Sequence, residues 1–210
     1  MMIRALFRVW KEHLTDHITL YLVTFMMFLL GSTTGAFVIR MLDEYQLKEL
    51  VEYLDFFLKG LPVWQINSIV IAQDAVINSI KIISVIWLLG LTIVGIPIIL
   101  VVVYVKGFIL GFTVGFLLIK KSYVGLLISI FAVLPQNLFY IPSIIICAVA
   151  AVTFSLRLIR GTIGRSYIPL SQQFINYLLL LVLLFFISIV GGIIEGYFAP
   201  YLMKIIVTYF

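Results

Sequence analysis

The stretch VYVKGFILGFTVGFLLIKK, residues 103–121, decides how the surrounding chain folds. Glycine recurs at every fourth position, at Gly107, Gly111 and Gly115, and Lys106 stands immediately before the first of them. Residues four apart lie on one face of a helix, and glycines on that face let a second backbone approach closely. The stretch therefore predicts a membrane helix with a close-packing face, next to a lysine whose charge is costly in hydrocarbon.

The stretch belongs to an apolar run over residues 82–119 that is too long for one membrane crossing. As a single helix the run would measure about 57 Å, whereas a bilayer core is about 30 Å thick. The chain can turn at VGIP, which ends at Pro97, or at Lys106–Gly107. A turn at Lys106 leaves the glycine helix too short to cross, so we predict a helical hairpin over 82–119 that turns near Pro97.

The whole composition is that of a membrane protein. Of the 210 residues, 64% are hydrophobic and 11% are charged, and the mean hydropathy is +1.24. A soluble domain carries about 25% charged residues, so bilayer must cover much of this chain. The net charge of +5 is spread along the sequence, which favours membrane-flanking charge over nucleic-acid binding.

We predict an all-α, polytopic membrane protein, a single domain over 1–210 with about five transmembrane helices. Broken or re-entrant segments are expected near Pro97 and near Pro135, where LPQNLFYIP interrupts an apolar run. The predicted order is a cytoplasmic amphipathic helix (1–17), a first span containing Gly31 and Gly35 (18–39), an extracytoplasmic amphipathic loop (40–81), the hairpin (82–119), a broken helical segment (122–156), a cytoplasmic basic loop (157–173), a last span (174–194) and an extracytoplasmic tail (195–210).

The acidic loop 40–81 contains a helix with a narrow apolar seam. Leu47, Leu50, Leu54 and Phe57 follow helical spacing, so they form a surface that must pack on something. We interpret this seam as a partner-binding segment. It also suits self-association, as do the glycine faces, and both favour a homodimer.

The distribution of charge predicts the orientation. With the basic N-terminus and the arginines of 157–173 in the cytoplasm, and the acidic loop outside, the chain obeys the positive-inside rule at three points. Lys120 and Lys121 then lie outside, against the rule.

No set of residues points to catalysis, a metal or a cofactor. His13 and His17 share one helix face but lie at the entry to the membrane, and a metal site needs more ligands than these. Glu195 is the one acid near a span, and it is interpreted as the end of that span. Without an acid to pair with it, Lys106 is expected to snorkel to the interface. Gln136 and Asn137 are expected to satisfy backbone groups freed by the break.

Two stretches resemble a known family. WLLGLTIVGIPIILVVVYVKGFILGFTVGFLL (87–118) and VLPQNLFYIPSIIICAVAAVTFSLRLIR (133–160) are similar to the stage II sporulation protein M family of endospore-forming bacteria. The shared motifs are the G-x-P-x-I turn, the K-G-x-x-x-G-F-T-V-G-F ladder and the L-P-Q-N-L-F break. The resemblance is most specific over 82–160.

The resemblance implies a non-enzymatic scaffold or regulator in the mother-cell membrane of a sporulating cell. Its partners would be the peptidoglycan-cleaving stage II sporulation proteins D and P, which act with it in engulfment of the forespore. Besides these proteins, the chain would contact membrane lipid. The alternative is a small transporter or channel that uses the broken helices, with Lys106, Gln136 and Asn137 as its only polar residues at depth.

Overall fold

The computed structural model describes residues 17–61, 67–163 and 170–209, which are almost entirely helical. The predicted helix of residues 1–17 lies, apart from His17, outside the described residues, as does most of the basic loop 157–173 beyond Ile163. The α-helices are α1 (Ile18–Val38), α2 (Glu44–Gly60), α3 (Ser68–Gly90), α4 (Gly95–Ile128), α5 (Leu134–Ile163), α6 (Leu170–Ile193) and α7 (Ala199–Tyr209).

Within the described residues, four helical stretches are long and apolar enough to cross a membrane: Ile18–Met41, Ser68–Gly90, Gly95–Leu158 and Ser171–Tyr209. The all-α, polytopic class is therefore confirmed for the described part of the chain, which contains no strand. The third stretch has 64 residues. If straight, it would be about 96 Å long, about three times the thickness of a bilayer core.

Ser122 divides this third stretch into two arms. Its backbone (φ 44°, ψ −114°) is the one non-helical point inside α4. A methyl group at Gly125 would overlap the Leu117 carbonyl, although residues eight apart in a straight helix are separated by about 12 Å. The chain therefore folds back at Ser122. The two arms of the third stretch and the other three stretches make five apolar helical segments, in agreement with the expected number of spans.

The turn expected near Pro97 lies immediately before it, at Leu91–Val94. Leu91 N–H bonds to the Leu88 carbonyl at 3.1 Å, and the Ser155 hydroxyl donates to the Thr92 carbonyl at 2.8 Å. Pro97 occupies the first turn of α4, where a missing N–H breaks no helical bond. The turn is thus tied both to its own helix and to α5.

The first arm of the hairpin differs from the expectation, because α3 begins at Ser68 rather than at residue 82. The reason is length: an arm from 82 to Gly90 would rise only about 12 Å, far short of a bilayer core. Residues 68–81, assigned to the aqueous loop from sequence, therefore enter the membrane span. Asn67 caps this helix by accepting the Val70 N–H at 3.4 Å.

Pro135 does not unwind the chain but follows a π-helical turn, Ser129–Val133. Leu134 N–H bonds to the Ser129 carbonyl, five residues back, and Pro135 has no N–H with which to continue the pattern. The same arrangement recurs at Ile194–Phe198, where Ala199 N–H bonds to the Ile194 carbonyl immediately before Pro200. The predicted break thus becomes a π-helical turn, and the last span continues beyond its predicted end at residue 194.

The glycine ladder of α4 packs against α1 of the same chain. Methyl groups at Gly107 and Gly111 would overlap the carbonyls of Phe28 and Ser32 on α1, and one at Gly115 would press on Ile39. On α1, methyl groups at Gly31 and Gly35 would overlap the carbonyls of Tyr104 and Phe108 on α4. Beside this contact, the hydroxyls of Thr34 and Tyr104 hydrogen-bond at 2.8 Å.

The core lies where α3, α4, α5 and α6 meet. Small residues of α5 let its neighbours approach, and fully buried branched side chains fill the space between them. The core includes Ile83, Ile86, Ile99, Val103, Cys147, Ala148, Ala151 and Leu184. A second cluster joins the end of α2 to the Ser122 fold and α7, through Leu58, Leu61, Leu117, Ile128, Ala199 and Ile206.

Replacing Gly111 with leucine is expected to lower the free energy of unfolding by about 3 kcal/mol, because the side chain must displace the Ser32 backbone. This loss exceeds the gain of about 1 kcal/mol from better helix propensity. Thermal unfolding of the purified protein in detergent measures the effect. Val105→Leu adds bulk on an exposed face of the same helix and should leave Tm nearly unchanged. Equal Tm values for Gly111→Leu and the native chain would contradict the helix contact.

Candidate functional site: a polar cavity between the membrane helices

A cavity of about 180 Å³ lies among α1, α3, α4, α5 and the π-helical turn that follows α6. Its apolar lining includes Phe28, Ile82, Ile141 and Ile144. Its polar lining is Asn78, Ser79, Lys106, Gln136, Asn137, Tyr140 and Glu195. The three polar residues that the sequence places at depth, Lys106, Gln136 and Asn137, are thus brought to one cavity rather than scattered on lipid-facing surfaces.

Lys106 lies near the middle of the membrane. It follows Gly95, the first residue of α4, by eleven positions, a rise of about 17 Å in a core of about 30 Å. Its side chain is half-buried and lines the cavity. The structure therefore places this ammonium group inside the bundle, where the sequence predicted snorkelling to the interface.

Glu195 is the acid that the sequence analysis assigned to the end of a span, and the structure brings it to the cavity instead. It belongs to the π-helical turn Ile194–Phe198, which continues the last helical stretch into α7 instead of ending it. From there its carboxylate faces the cavity and interacts electrostatically with Lys106. The two groups form no direct ion pair; within the described residues, the side-chain ion pairs with measured distances are Lys48–Glu52 and Lys121–Asp55.

The two polar neighbours of Glu195 in the cavity differ. The Tyr140 hydroxyl interacts with the Glu195 carboxylate, whereas the buried Gln136 Oε1 atom has no hydrogen-bond partner in the described structure. Asn137 differs, because its Nδ2 donates to the Val133 carbonyl at 2.7 Å. Asn137 therefore satisfies the backbone at the π-helical turn, as the sequence predicted for both amides, whereas Gln136 does not.

The cavity opens beside a polar stripe on α3. Asp74, Asn78 and Lys81 are exposed and lie about one and two turns apart on one face of this membrane helix. Asn78 belongs to both the stripe and the cavity lining. Behind it, the buried Ser79 hydroxyl donates to Ser188 at 3.1 Å. Sequence reasoning missed this stripe, although the short hairpin arm was the signal that residues 68–81 must enter the span.

The apolar seam of α2 is half-buried. Leu54 and Phe57 pack against the second hydrophobic cluster, whereas Leu47 and Leu50 lie further along the helix, also half-buried. Asp55 pairs with Lys121 at the end of the first arm of α4. Part of the seam thus docks α2 on its own chain, and exposed Tyr45 and Tyr53 mark its outer side.

The two ends of the bundle are defined by contacts. At one end, Arg157 Nη2 lies 3.4 Å from His17 Nε2, and Ser155 bonds to the Thr92 turn. At the other end lie α2 and the Ser122 fold.

No group of three or more His, Cys, Asp or Glu residues that could hold a metal ion occurs within the described residues.

The family description "Stage II sporulation protein M" matches residues 24–200 of the chain. The chain belongs to the stage II sporulation protein M family. It is therefore a sporulation-related, multi-pass membrane protein. Neither a curated protein nor a solved structure matches it.

The cavity lies within the part of the chain that matches the stage II sporulation protein M family. Its polar residues run from Asn78 to Glu195, inside the matched range of 24–200. They come from four separate elements of this chain, which its fold brings together. An ionisable residue within a membrane span points to a functional site, usually one facing a bundle interior or a water-filled space.

The two charges of the cavity are expected to be coupled in their effect on the stability of the protein. Lys106→Met or Glu195→Gln leaves one charge without its counterpart and should lower the free energy of unfolding by about 1–3 kcal/mol. The double variant should lose less than the sum of the single losses. A double-mutant cycle, followed by thermal unfolding in detergent, measures this coupling.

The control cycle pairs Lys106→Met with Asp55→Asn. Asp55 contacts Lys121, which follows Lys106 by about 22 Å along α4, so the two losses should add. Additive losses for Lys106 and Glu195 as well would show that the two cavity charges do not interact.

Proposed function

We propose that this chain is a non-enzymatic membrane scaffold that holds the peptidoglycan hydrolases stage II sporulation proteins D and P at the engulfing mother-cell membrane. The family membership supports a role in sporulation. One structural observation supports the scaffold role most strongly: the exposed polar stripe Asp74–Asn78–Lys81 on a membrane helix. Contact between such a face and lipid is unfavourable, whereas contact with a polar transmembrane helix of a partner protein is favourable.

The energetic argument for a partner span concerns the two charged side chains. A charged residue at the centre of a membrane helix costs about 2.5–3.5 kcal/mol on insertion scales. Asp74 and Lys81 follow Ser68 by six and thirteen positions, which places Lys81 about 20 Å from the start of α3. A transmembrane helix that brings a polar or oppositely charged residue to each position would remove this cost.

A second copy of the chain fits the stripe poorly. In a parallel two-fold dimer built on α3, each Asp74 would face its own counterpart, and so would each Lys81. The glycine faces, which favoured a homodimer in the sequence, are occupied by α1 and α4 of one chain. We therefore expect a different protein, rather than a second copy of the chain, to contact the stripe.

The proposed orientation places α2 outside the cytoplasm, where the hydrolases act. His17 and Arg157 would then lie at the cytoplasmic end, in accord with the positive-inside rule. The outer side of α2 carries exposed Tyr45 and Tyr53 beside exposed Glu49 and Glu52. Aromatic residues near charges are typical of protein interfaces, so this side would contact the aqueous parts of the hydrolases.

The double variant Asp74→Asn/Lys81→Met is expected to release both hydrolases. The measurement is co-purification of the two proteins with the tagged chain from sporulating membranes. Thr33→Val serves as control, since Thr33 is exposed on α1 but bonds only to carbonyls of its own helix. Glu49→Lys/Glu52→Lys tests the aqueous contact separately. Undiminished recovery of both hydrolases with the stripe variant would refute the stripe as their docking face.

The cavity favours a second candidate, a passage for small polar solutes. A transporter needs a polar site at mid-depth between helices that depart from regular geometry. Here Lys106, Gln136 and Glu195 share one cavity, and π-helical turns precede Pro135 and Pro200 beside it.

Transport predicts that proteoliposomes containing the purified chain admit a small solute faster than protein-free liposomes. Stopped-flow light scattering with glycine and with glycerol as osmolytes measures the rates. Lys106→Met should slow the faster of the two, while Lys121→Met, at the edge of the bundle, should not. Equal permeability of vesicles with and without the native chain would exclude this role and leave the scaffold proposal intact.

A further inference from the structure

The cavity holds one cation and one anion that do not meet. Lys106 and Glu195 both line it and sense each other's charge, yet no direct ion pair joins them, whereas Lys121 and Asp55 in the same chain close into one. Charges withdrawn from water recover their desolvation cost only through close contact and additional hydrogen bonds. Two opposite charges that share a cavity without touching therefore leave space between them. Their electric field favours a polar or charged molecule in that space.

One buried neutral group of the cavity lacks a partner as well. Gln136 Oε1 can only accept a hydrogen bond, and it does not do so within the described structure. A buried polar atom left unsatisfied costs about 1–3 kcal/mol. The occupant that suits the cavity carries N–H donors near Gln136 and Glu195.

Size limits the occupant to a small molecule. The cavity measures about 180 Å³, and a cavity of about 150 Å³ holds one benzene molecule. Half a dozen non-hydrogen atoms therefore fit, and a peptide or nucleotide does not. A molecule with a single charge would satisfy only one of the two ionised side chains.

We propose that the cavity binds a small zwitterion of amino-acid size, with its acidic group at Lys106 and its ammonium group at Glu195 and Gln136. The inference does not depend on the scaffold role, and it holds whether the ligand is carried across the membrane or only bound. Asn78, which lines the cavity and is exposed beside it, marks the side from which such a molecule enters.

The test compares alanine with molecules that carry only one of its charges. Isothermal titration of the full chain in phosphatidylglycerol nanodiscs with L-alanine, D-alanine, propionate and ethylamine should show binding by at least one alanine enantiomer. Propionate and ethylamine should bind about tenfold more weakly or worse, since each leaves one buried charge unmatched. This comparison uses the native chain, so it is unaffected by any variant that fails to fold.

Variants of the cavity residues then show whether alanine binds in the cavity. Lys106→Met, Glu195→Gln and Tyr140→Phe should each weaken alanine binding, the two charge variants by about tenfold or more. Lys121→Met, which removes a lysine from the Asp55 pair instead, should leave it unchanged. Tyr140→Phe keeps the ring and all charges, so it reports on the cavity even if a charge variant is unstable.

A zwitterionic lipid headgroup carries the same two kinds of charge as alanine. The lipid composition of the nanodisc distinguishes a headgroup from a free zwitterion as the occupant. Nanodiscs that also contain phosphatidylethanolamine should compete with alanine if the natural occupant is a headgroup, and should not if it is a free zwitterion. Failure of both alanine enantiomers and of phosphatidylethanolamine to bind would overturn the inference. Equal binding by propionate, ethylamine and alanine, or binding that survives both charge variants, would overturn it too.

Discussion

The tight turn at Leu91–Val94 sets the depth of nearly every polar group in the bundle. It is held by Ser155 at the Thr92 carbonyl and by the contact of Gly95 with the Leu89 carbonyl, where no side chain fits. Because a membrane helix needs about 20 residues, the position of this turn requires α3 to reach back toward Ser68. The same turn places Lys106 half-way along the first arm of α4. The stripe and the cavity thus both follow from one constraint of length.

The α1–α4 contact then fixes the lateral position of Lys106. Gly107 lies against the Phe28 carbonyl of α1, and Phe28 also lines the cavity. Successive residues of a helix are turned by about 100°, so a backbone contact at Gly107 leaves Lys106 directed to the side of α1, into the bundle. With glycine on both helices, the backbones touch and the contact cannot slip without a clash. The glycines and the lysine, adjacent in sequence, therefore act together: the glycines orient the helix that carries the charge.

The sequence predicted the features that depend on one helix and missed those that depend on several. Composition and run lengths were enough for the all-α membrane class, the turn near Pro97 and the approximate number of spans, because each follows from apolar length alone. Glu195 was assigned to a span end because no local signal shows that a π-helical turn carries the chain onward. The spacing from Ile194 to Pro200 repeats that from Ser129 to Pro135, and this repeat was the signal available. The presence of Glu195 and Lys106 in one cavity needs α4 and the last helix to be packed together, which no periodicity encodes.

The stripe and the cavity share Asn78, and this has a thermodynamic consequence for a scaffold. A partner helix on the stripe and a small molecule in the cavity would both contact this side chain, so each would change the free energy of binding of the other. The effect is reciprocal: a ligand that strengthens partner binding must itself bind more tightly to the assembled complex. If the bundle served only to tether partner proteins, it would not need two separated charges in its interior. Apolar residues of similar volume at Lys106 and Glu195 would leave the bundle as stable or more stable. The open Lys106–Glu195 pair next to the stripe therefore connects the inside of the bundle to the face on which a partner would assemble.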